Sequence, residues 1–228
     1  MNIFIININS LKQLEDHINF KSLIIDYKMD VYNKYRKLED KTRCSLGQFL
    51  IKEMINFETN LNPHNMLFNT NDYGKPFLMN DSNIHFNISH SGQYVVGVID
   101  RNIVGIDVEK IENIDFETLS KNFYTKNEHD FLLKQKDPRD CFYRIWTLKE
   151  SYIKTVGKGL SIPLNSFNII PNENITLDSD LLKKKCYFKE YDLDSNYKLS
   201  VCSVHNDFCN HVINISSNDI YKFYNKYC

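Results

Sequence analysis

Two carboxylates and a glycine alternate along one short apolar segment, VGIDVE (Val104–Glu109). Side chains alternate between faces along a strand, so the apolar residues share one face and the other carries Gly105, Asp107 and Glu109. The two acids are then roughly 7 Å apart. Such a face is typical of the polar side of an antiparallel sheet, or of a site that holds a cation.

A third acid lies on a helix predicted between Pro138 and Gly157, where Trp146, Glu150 and Lys154 are spaced four apart on one stripe. An ordinary surface ion pair between Glu150 and Lys154 explains this spacing. If the helix instead packs with Glu150 toward the acidic strand, three oxygen ligands converge. Such a set suits Mg²⁺ or Mn²⁺ better than zinc, and Lys154 could neutralise a phosphate oxygen nearby.

Helical periodicity from Asp30 to Phe57 predicts one long helix, with Leu46, Phe49 and Met54 on its apolar stripe. Its first half is basic and contains Lys34, Arg36, Lys37, Lys41 and Arg43. These charges indicate either a solvated helix face or, together with the acidic site, a polyphosphate substrate.

Ser89 and His90 are neighbours at the end of a predicted strand and point to opposite faces, so they cannot form a base-activated pair with each other. Each could still reach a phosphate, although a lone histidine is more often structural. Glu128 ends the sequence TKNE, which begins at Thr125 and predicts a capping box. A role for Glu128 at the metal is the alternative.

The overall composition is that of a globular protein of 228 residues with a net charge of −1, which argues against a nucleic-acid or membrane partner. The six cysteines show no CxxC pair, so we expect reduced thiols and a cytosolic location. A predicted antiparallel meander over residues 85–110, then helices, then a hairpin over residues 186–205, favours an α+β fold over a doubly wound sheet.

Five motifs taken in order resemble the 4′-phosphopantetheinyl transferase family, in its long surfactin-synthetase-type (Sfp-like) branch. They are GKP (74–76), FNISHSG (86–92), VGIDVE (104–109), FYTKNE (123–128) and WTLKESYIKTVGKGL (146–160). The resemblance implies transfer of the phosphopantetheine arm of coenzyme A to a serine of an apo acyl or peptidyl carrier protein, releasing adenosine 3′,5′-bisphosphate. The carrier's pathway (fatty-acid, polyketide or nonribosomal-peptide) is left open.

The same resemblance implies two similar α/β halves related by a pseudo-twofold, with coenzyme A between them, in a monomer. Residues 1–103 would contact the coenzyme A phosphates, and residues 104–228 would hold the metal and dock the carrier. The docking segment would run from Gly157 to Lys189, whose positive charge comes from Lys158, Lys183, Lys184 and Lys185.

Individual roles also follow from the resemblance. The metal ligands would be Asp107, Glu109 and Glu150, with Glu150, or a water it positions, as general base. Lys154 would contact the pyrophosphate, beside which Gly105 would leave room. Coenzyme A phosphates would be bound by Ser89 and His90, and the 3′-phosphate by Lys34, Arg36 and Arg43. Lys75, which matches the lysine of GKP, would be a further coenzyme A-binding residue. Cys44 departs from the small polar residue expected there, so either Ser45 or the backbone substitutes as the phosphate contact, or that contact is missing.

Two other functions use the same residues. A metal-dependent phosphohydrolase would direct the three carboxylates at water and break down coenzyme A without a carrier. A non-catalytic module would bind the carrier protein without metal. Retention of all three acids and Lys154 argues against the second.

Overall fold

The structure, a computed structural model, describes residues 1–11 and 18–228, with the backbone alone at residue 160. Its strands are β1 (Asn2–Asn7), β2 (Phe68–Thr70), β3 (Pro76–Leu78), β4 (His85–Ser91), β5 (Tyr94–Asp100), β6 (Val104–Lys110), β7 (Asn168–Pro171), β8 (Ile175–Asp178), β9 (Tyr187–Tyr191), β10 (Tyr197–Ser203) and β11 (Val212–Asn214). Its helices are α1 (Met29–Lys34), α2 (Leu38–Thr59), α3 (Phe116–Phe123), α4 (Lys126–Leu132), α5 (Pro138–Val156) and α6 (Ser217–Tyr227). The fold is α+β, as predicted. None of the helices in the described ranges is long and apolar enough to cross a membrane.

The chain forms two compact units: unit 1 comprises residues 1–71, 76–102 and 207–228, and unit 2 comprises residues 72–75 and 103–206. The expected second half comprised all of residues 104–228. The structure instead returns the last 22 residues to unit 1, because β11 pairs in parallel with β1 and the ring of Phe223 lies 4.9 Å from that of Phe49. The short segment Asp72–Lys75 belongs to unit 2.

In unit 1, α2 covers a four-stranded sheet of order β11-β1-β5-β4. The predicted apolar stripe is confirmed, since Leu46, Phe49 and Met54 are fully buried. The single helix predicted over residues 30–57 is wrong, because the chain is extended at Tyr35 and Lys37 and separates α1 from α2. Helices in proteins gain most of their stability from packing of an apolar face. Of these two helices, α2 has such a face and α1 buries no residue.

The predicted three-stranded meander is also only partly right. β4 and β5 pair antiparallel, but β6 joins a different sheet, of order β6-β10-β9. The reason is that β5 already pairs with β1 on its other side, so it has no edge left for β6. The hairpin predicted over residues 186–205 is confirmed as β9 and β10, which pair antiparallel.

In unit 2, helix α5 packs closely on β6 at Gly105. A Cβ atom at Gly105 would lie 2.3 Å from the carbonyl oxygen of Ser151 and 2.6 Å from the backbone nitrogen of Thr155. The expectation that Gly105 leaves room for a substrate is therefore wrong. The backbone of α5 instead occupies the space beside this glycine. Because Gly105 has no side chain, α5 can lie close to the acidic face of β6.

We expect the substitution Gly105→Ala to destabilise unit 2 by about 3 kcal/mol or more, since overpacking typically costs about 1–3 kcal/mol and here the opposing atoms are backbone. Gly47→Ala is the matched control, because its Cβ would meet only the terminal Cδ1 of Ile88, at 2.9 Å. The side chain of Ile88 can move, and alanine gains roughly 1 kcal/mol of helix propensity, so this change should be nearly neutral. Urea unfolding of both variants measures the difference, and equal losses would contradict the close approach at Gly105.

Candidate active site

The buried carboxylate of Asp107 lies at the centre of the site, on the face of β6 that packs against α5. Lys154 Nζ donates a hydrogen bond to Asp107 Oδ1 at 2.7 Å and another to the carbonyl oxygen of Ile106 at 3.2 Å. Burial raises the pKa of Glu150, and the negative charge of Asp107 raises it further. The positive charge of Lys154 opposes both effects. Thus α5 turns both Glu150 and Lys154 toward the acidic strand, and the alternative of an isolated surface pair on the helix does not hold.

The third predicted metal ligand, Glu109, lies two residues beyond Asp107 and faces Lys198 across the β6–β10 ladder. Across the described ranges, no three His, Cys, Asp or Glu side chains are arranged as a ready metal site. Asp107 and Glu150 nevertheless fit a hard divalent cation, because both offer carboxylate oxygens and their negative charges act on each other in a buried place. A metal held by Asp107, Glu109 and Glu150 stays a prediction.

Buried hydroxyl groups fix α5 against β10 beside these acids. Ser200, directly opposite Asp107 in the ladder, shares a hydrogen bond of 2.9 Å with Thr147 Oγ1. About two turns further along α5, Thr155 Oγ1 donates to the carbonyl oxygen of Cys202 at 3.1 Å. The sequence analysis missed these residues. The available signal was polar side chains at otherwise apolar positions of a strand and a helix, which must find partners when buried.

Lys75 lies at the C-terminal end of α5. Its Nζ donates to the carbonyl oxygen of Lys154 at 2.5 Å and is 3.4 Å from that of Val104. Burial lowers the pKa of Lys75 to about 8, and the charge of Lys154 adds to that lowering, against an opposing contribution from Cys202. The structure therefore places Lys75 with the acidic site of unit 2, whereas Ser89 and His90 belong to unit 1.

Glu128 makes the contacts of a structural residue. Its fully buried carboxylate accepts hydrogen bonds from the backbone nitrogens of Thr125 at 2.8 Å and Ile169 at 2.6 Å, and it also pairs with the ammonium of Lys149. Burial lowers the pKa of Lys149 to about 8, and the negative charge of Glu128 opposes this. The predicted capping box is confirmed. The alternative role at the metal finds no support, since Glu128 has no exposed surface from which to reach a substrate.

The basic residues of unit 1 are distributed over α1, α2 and their connection. Arg43 donates to the carbonyl oxygen of Gly92 at 3.0 Å and to Asp40 at 2.6 Å, so it lies at the turn that follows Ser89 and His90. At the end of β4, Ser89 is buried and His90 is exposed, as the strand alternation predicts. The other two residues predicted to bind the 3′-phosphate are exposed. Lys34 is at the end of α1, and Arg36 is in the connection between α1 and α2.

The departure at Cys44 also acquires a structural context. Burial raises the pKa of its thiol, and the positive charge of Lys28 opposes this. Ser45 is fully buried on the inner side of α2, so its side chain does not offer the substitute phosphate contact. Lys28 precedes the basic stretch in the sequence, and the fold brings its charge near Cys44.

Comparison with known proteins gives consistent matches along both units. The family described as the 4′-phosphopantetheinyl transferase superfamily matches residues 103–202, and the one described as 4′-phosphopantetheinyl transferase, N-terminal, matches residues 14–101. The 4′-phosphopantetheinyl transferase Sfp of Bacillus subtilis (strain 168) is 36% identical over 210 residues, which cover 90% of this chain and 93% of that protein. The 4′-phosphopantetheinyl transferase gsp of Aneurinibacillus migulanus is 38% identical over 203 residues, covering 87% and 84%.

We expect Lys149→Met to lower the free energy of unfolding by about 3–5 kcal/mol, because it leaves the charge of Glu128 buried without its partner. Combining it with Glu128→Gln should cost less than the sum of the two single changes, by about 2 kcal/mol or more. Arg101→Met, which breaks exposed pairs with Asp81 at 3.5 Å and Glu58 at 4.0 Å, is the control and should cost less than about 1 kcal/mol.

Urea unfolding of the four variants provides these values. Strictly additive losses for Glu128 and Lys149 would contradict a coupled buried pair. Folded Glu128→Gln should also keep its catalytic rate within a factor of about 3, whereas a general acid or base typically contributes about 100-fold or more. A loss of that size with unchanged stability would restore the catalytic interpretation of Glu128.

Proposed function

Since the chain belongs to the 4′-phosphopantetheinyl transferase superfamily, we propose that it transfers the phosphopantetheine arm of coenzyme A to a serine of an apo acyl or peptidyl carrier protein. The second product is adenosine 3′,5′-bisphosphate. The observation that carries this proposal is the group formed by the buried Asp107 with the half-buried Glu150 and Lys154, which lies where β6 and α5 meet, in a chain of that ancestry.

The reaction forms a bond between the serine oxygen of the carrier and the phosphopantetheine phosphorus. It breaks that phosphorus's bond to the bridging pyrophosphate oxygen, which leaves with the electron pair. Such transfer depends on positioning and charge stabilisation more than on covalent help from the protein. The nucleophile comes from the partner, so unit 2 needs only a proton acceptor and a cation. Glu150 takes the proton of the serine hydroxyl, directly or through a water, and the ammonium of Lys154 balances negative charge on the pyrophosphate.

Asp107, Glu109 and Glu150 would hold Mg²⁺, with Mn²⁺ as the alternative. The bound ion supplies charge stabilisation to phosphate oxygens. Lys154, which pairs with Asp107 in this structure, would share that carboxylate with the ion and would offer its ammonium to the phosphates. The donors are all carboxylate oxygens, which is the ligand type that hard divalent ions prefer.

The remaining contacts to coenzyme A are proposed for unit 1. Arg43, held at the carbonyl of Gly92, with Ser89 and His90 beside that turn, forms a polar cluster for phosphate groups. Lys34 and Arg36 add exposed positive charge for the 3′-phosphate. Guanidinium groups suit this role because their donors match phosphate oxygens in pairs.

The carrier protein is proposed to dock on the segment from Gly157 to Lys189 of a monomeric, cytosolic enzyme. This segment presents exposed positive charge that complements an acidic partner, on Lys158, Lys183, Lys184 and Lys185. Charge complementarity of this kind mainly raises the association rate, so docking should weaken with added salt.

Intact-mass spectrometry of an apo carrier protein, after incubation with this protein, coenzyme A and Mg²⁺, tests the function. We expect a mass gain of one phosphopantetheinyl arm that disappears with EDTA. Glu150→Gln should slow the transfer by about 100-fold or more, which is the usual contribution of a catalytic base. Glu117→Gln, which alters an exposed acid on α3, is the control and should leave the rate unchanged.

The alternatives give different outcomes in the same assay. Loss of coenzyme A without a gain in carrier mass would indicate the phosphohydrolase. No mass gain on several unrelated carriers, with coenzyme A intact, would indicate the non-catalytic module, and a separate binding measurement should then show carrier binding that is insensitive to EDTA. Either result would overturn the proposed transfer.

A further inference from the structure

Lys75 connects the two elements that carry the acidic site of unit 2. Its ammonium donates to the carbonyl oxygen of Lys154 at 2.5 Å, in the last turn of α5, and lies 3.4 Å from that of Val104, the first residue of β6. Both acceptors belong to the main chain. The contact therefore fixes the backbone of both elements directly.

The end of α5 has a particular need for such a donor. The last four carbonyl groups of a helix lack intrahelical partners, and a positive charge there is favoured by the helix dipole. The backbone nitrogen of Gly157 closes the helix on the carbonyl of Ile153 at 2.9 Å. The carbonyl of Lys154 is the next one along the chain, and Lys75 supplies its hydrogen bond.

The segment Asp72–Lys75 is shaped to reach this helix end. Gly74 adopts a φ of 83°, a left-handed conformation that glycine allows without strain. A Cβ atom at Gly159, which follows α5, would lie 4.0 Å from the carbonyl oxygen of Tyr73. The segment thus lies along the end of α5, and its last residue, Lys75, binds the carbonyl group of Lys154 there.

We propose that Lys75 is a positioning residue, which holds the end of α5 against the start of β6 and thereby sets the side chain of Lys154 beside Asp107. The path consists of observed contacts only, from the Lys75 ammonium to the Lys154 carbonyl, and from Lys154 Nζ to Asp107 Oδ1 at 2.7 Å. This role differs from a contact to a coenzyme A phosphate, because two of the three ammonium protons are directed at main-chain oxygens. Its consequence for catalysis rests on the proposed transfer reaction.

Lys75→Met keeps the length of the side chain and removes the ammonium, so it tests the proposal by steady-state kinetics of carrier modification. We expect kcat to fall at least about 10-fold, since small misplacements of catalytic groups cost up to about 100-fold, while KM for coenzyme A stays within about twofold. Lys75→Met added to Lys154→Met should cause no further loss of rate. Lys134→Met, on the exposed surface, is the control.

The opposite pattern would overturn the proposal. A phosphate contact predicts a raised KM for coenzyme A with kcat preserved, and effects that multiply in the double variant. A kcat equal to that of the unaltered protein would also overturn it.

Hydrogen exchange separates this proposal from the function on which it rests. The amides of residues 155–159 should exchange at least about 10-fold faster in Lys75→Met than in Lys134→Met, because the helix end opens locally. If the unaltered protein modifies no carrier, the proposed function fails and exchange alone judges the Lys75 contact. Unchanged exchange at the end of α5 would show that Lys75 does not hold it.

Discussion

The close approach of two backbones at Gly105 is the constraint on which unit 2 depends. Because the glycine offers no Cβ, the turn of α5 around Ser151 and Thr155 lies directly on β6. This contact fixes the position of α5 relative to the acidic face of β6. Asp107 therefore accepts a hydrogen bond from Lys154, and its negative charge interacts with that of Glu150. A close-packed interior transmits such a fixed point over several residues, since it has few voids in which an error could be absorbed.

Charge in unit 2 is arranged around this contact. Each of three lysines serves an internal acceptor: Lys149 pairs with Glu128, Lys154 pairs with Asp107, and Lys75 binds main-chain carbonyls. Buried charges are costly unless they are paired and hydrogen-bonded, so these pairs restrict the arrangements that the side chains can adopt. Burial lowers the pKa of Lys75 and of Lys149 to about 8, so at these two positions the charged form depends on its hydrogen-bond partners.

The sheets explain why local patterns predicted strands better than their partners. The alternation in β4, β5 and β6 was clear, yet β6 leaves the expected meander because β1 and β4 occupy both edges of β5. In the same way, α6 belongs to unit 1 because Phe223 packs against Phe49. The sequence around Phe223 does not predict this long-range contact. Strand pairing over long separations depends on which edges are available, and this information is not local.

The sequence by itself determined the element types, the capping box at Thr125, the apolar stripe of α2 and the set of acids that could do chemistry, because these follow from short-range spacing. It also determined the family, through motifs in register. Only the tertiary structure decided what each polar group contacts. Glu128 forms a buried pair with Lys149, Gly105 packs against the backbone of α5, and Lys75 binds a carbonyl group at the end of α5. A side chain's role depends on the distances and solvent exclusion that packing creates between residues far apart in the chain, and spacing along the chain does not contain these.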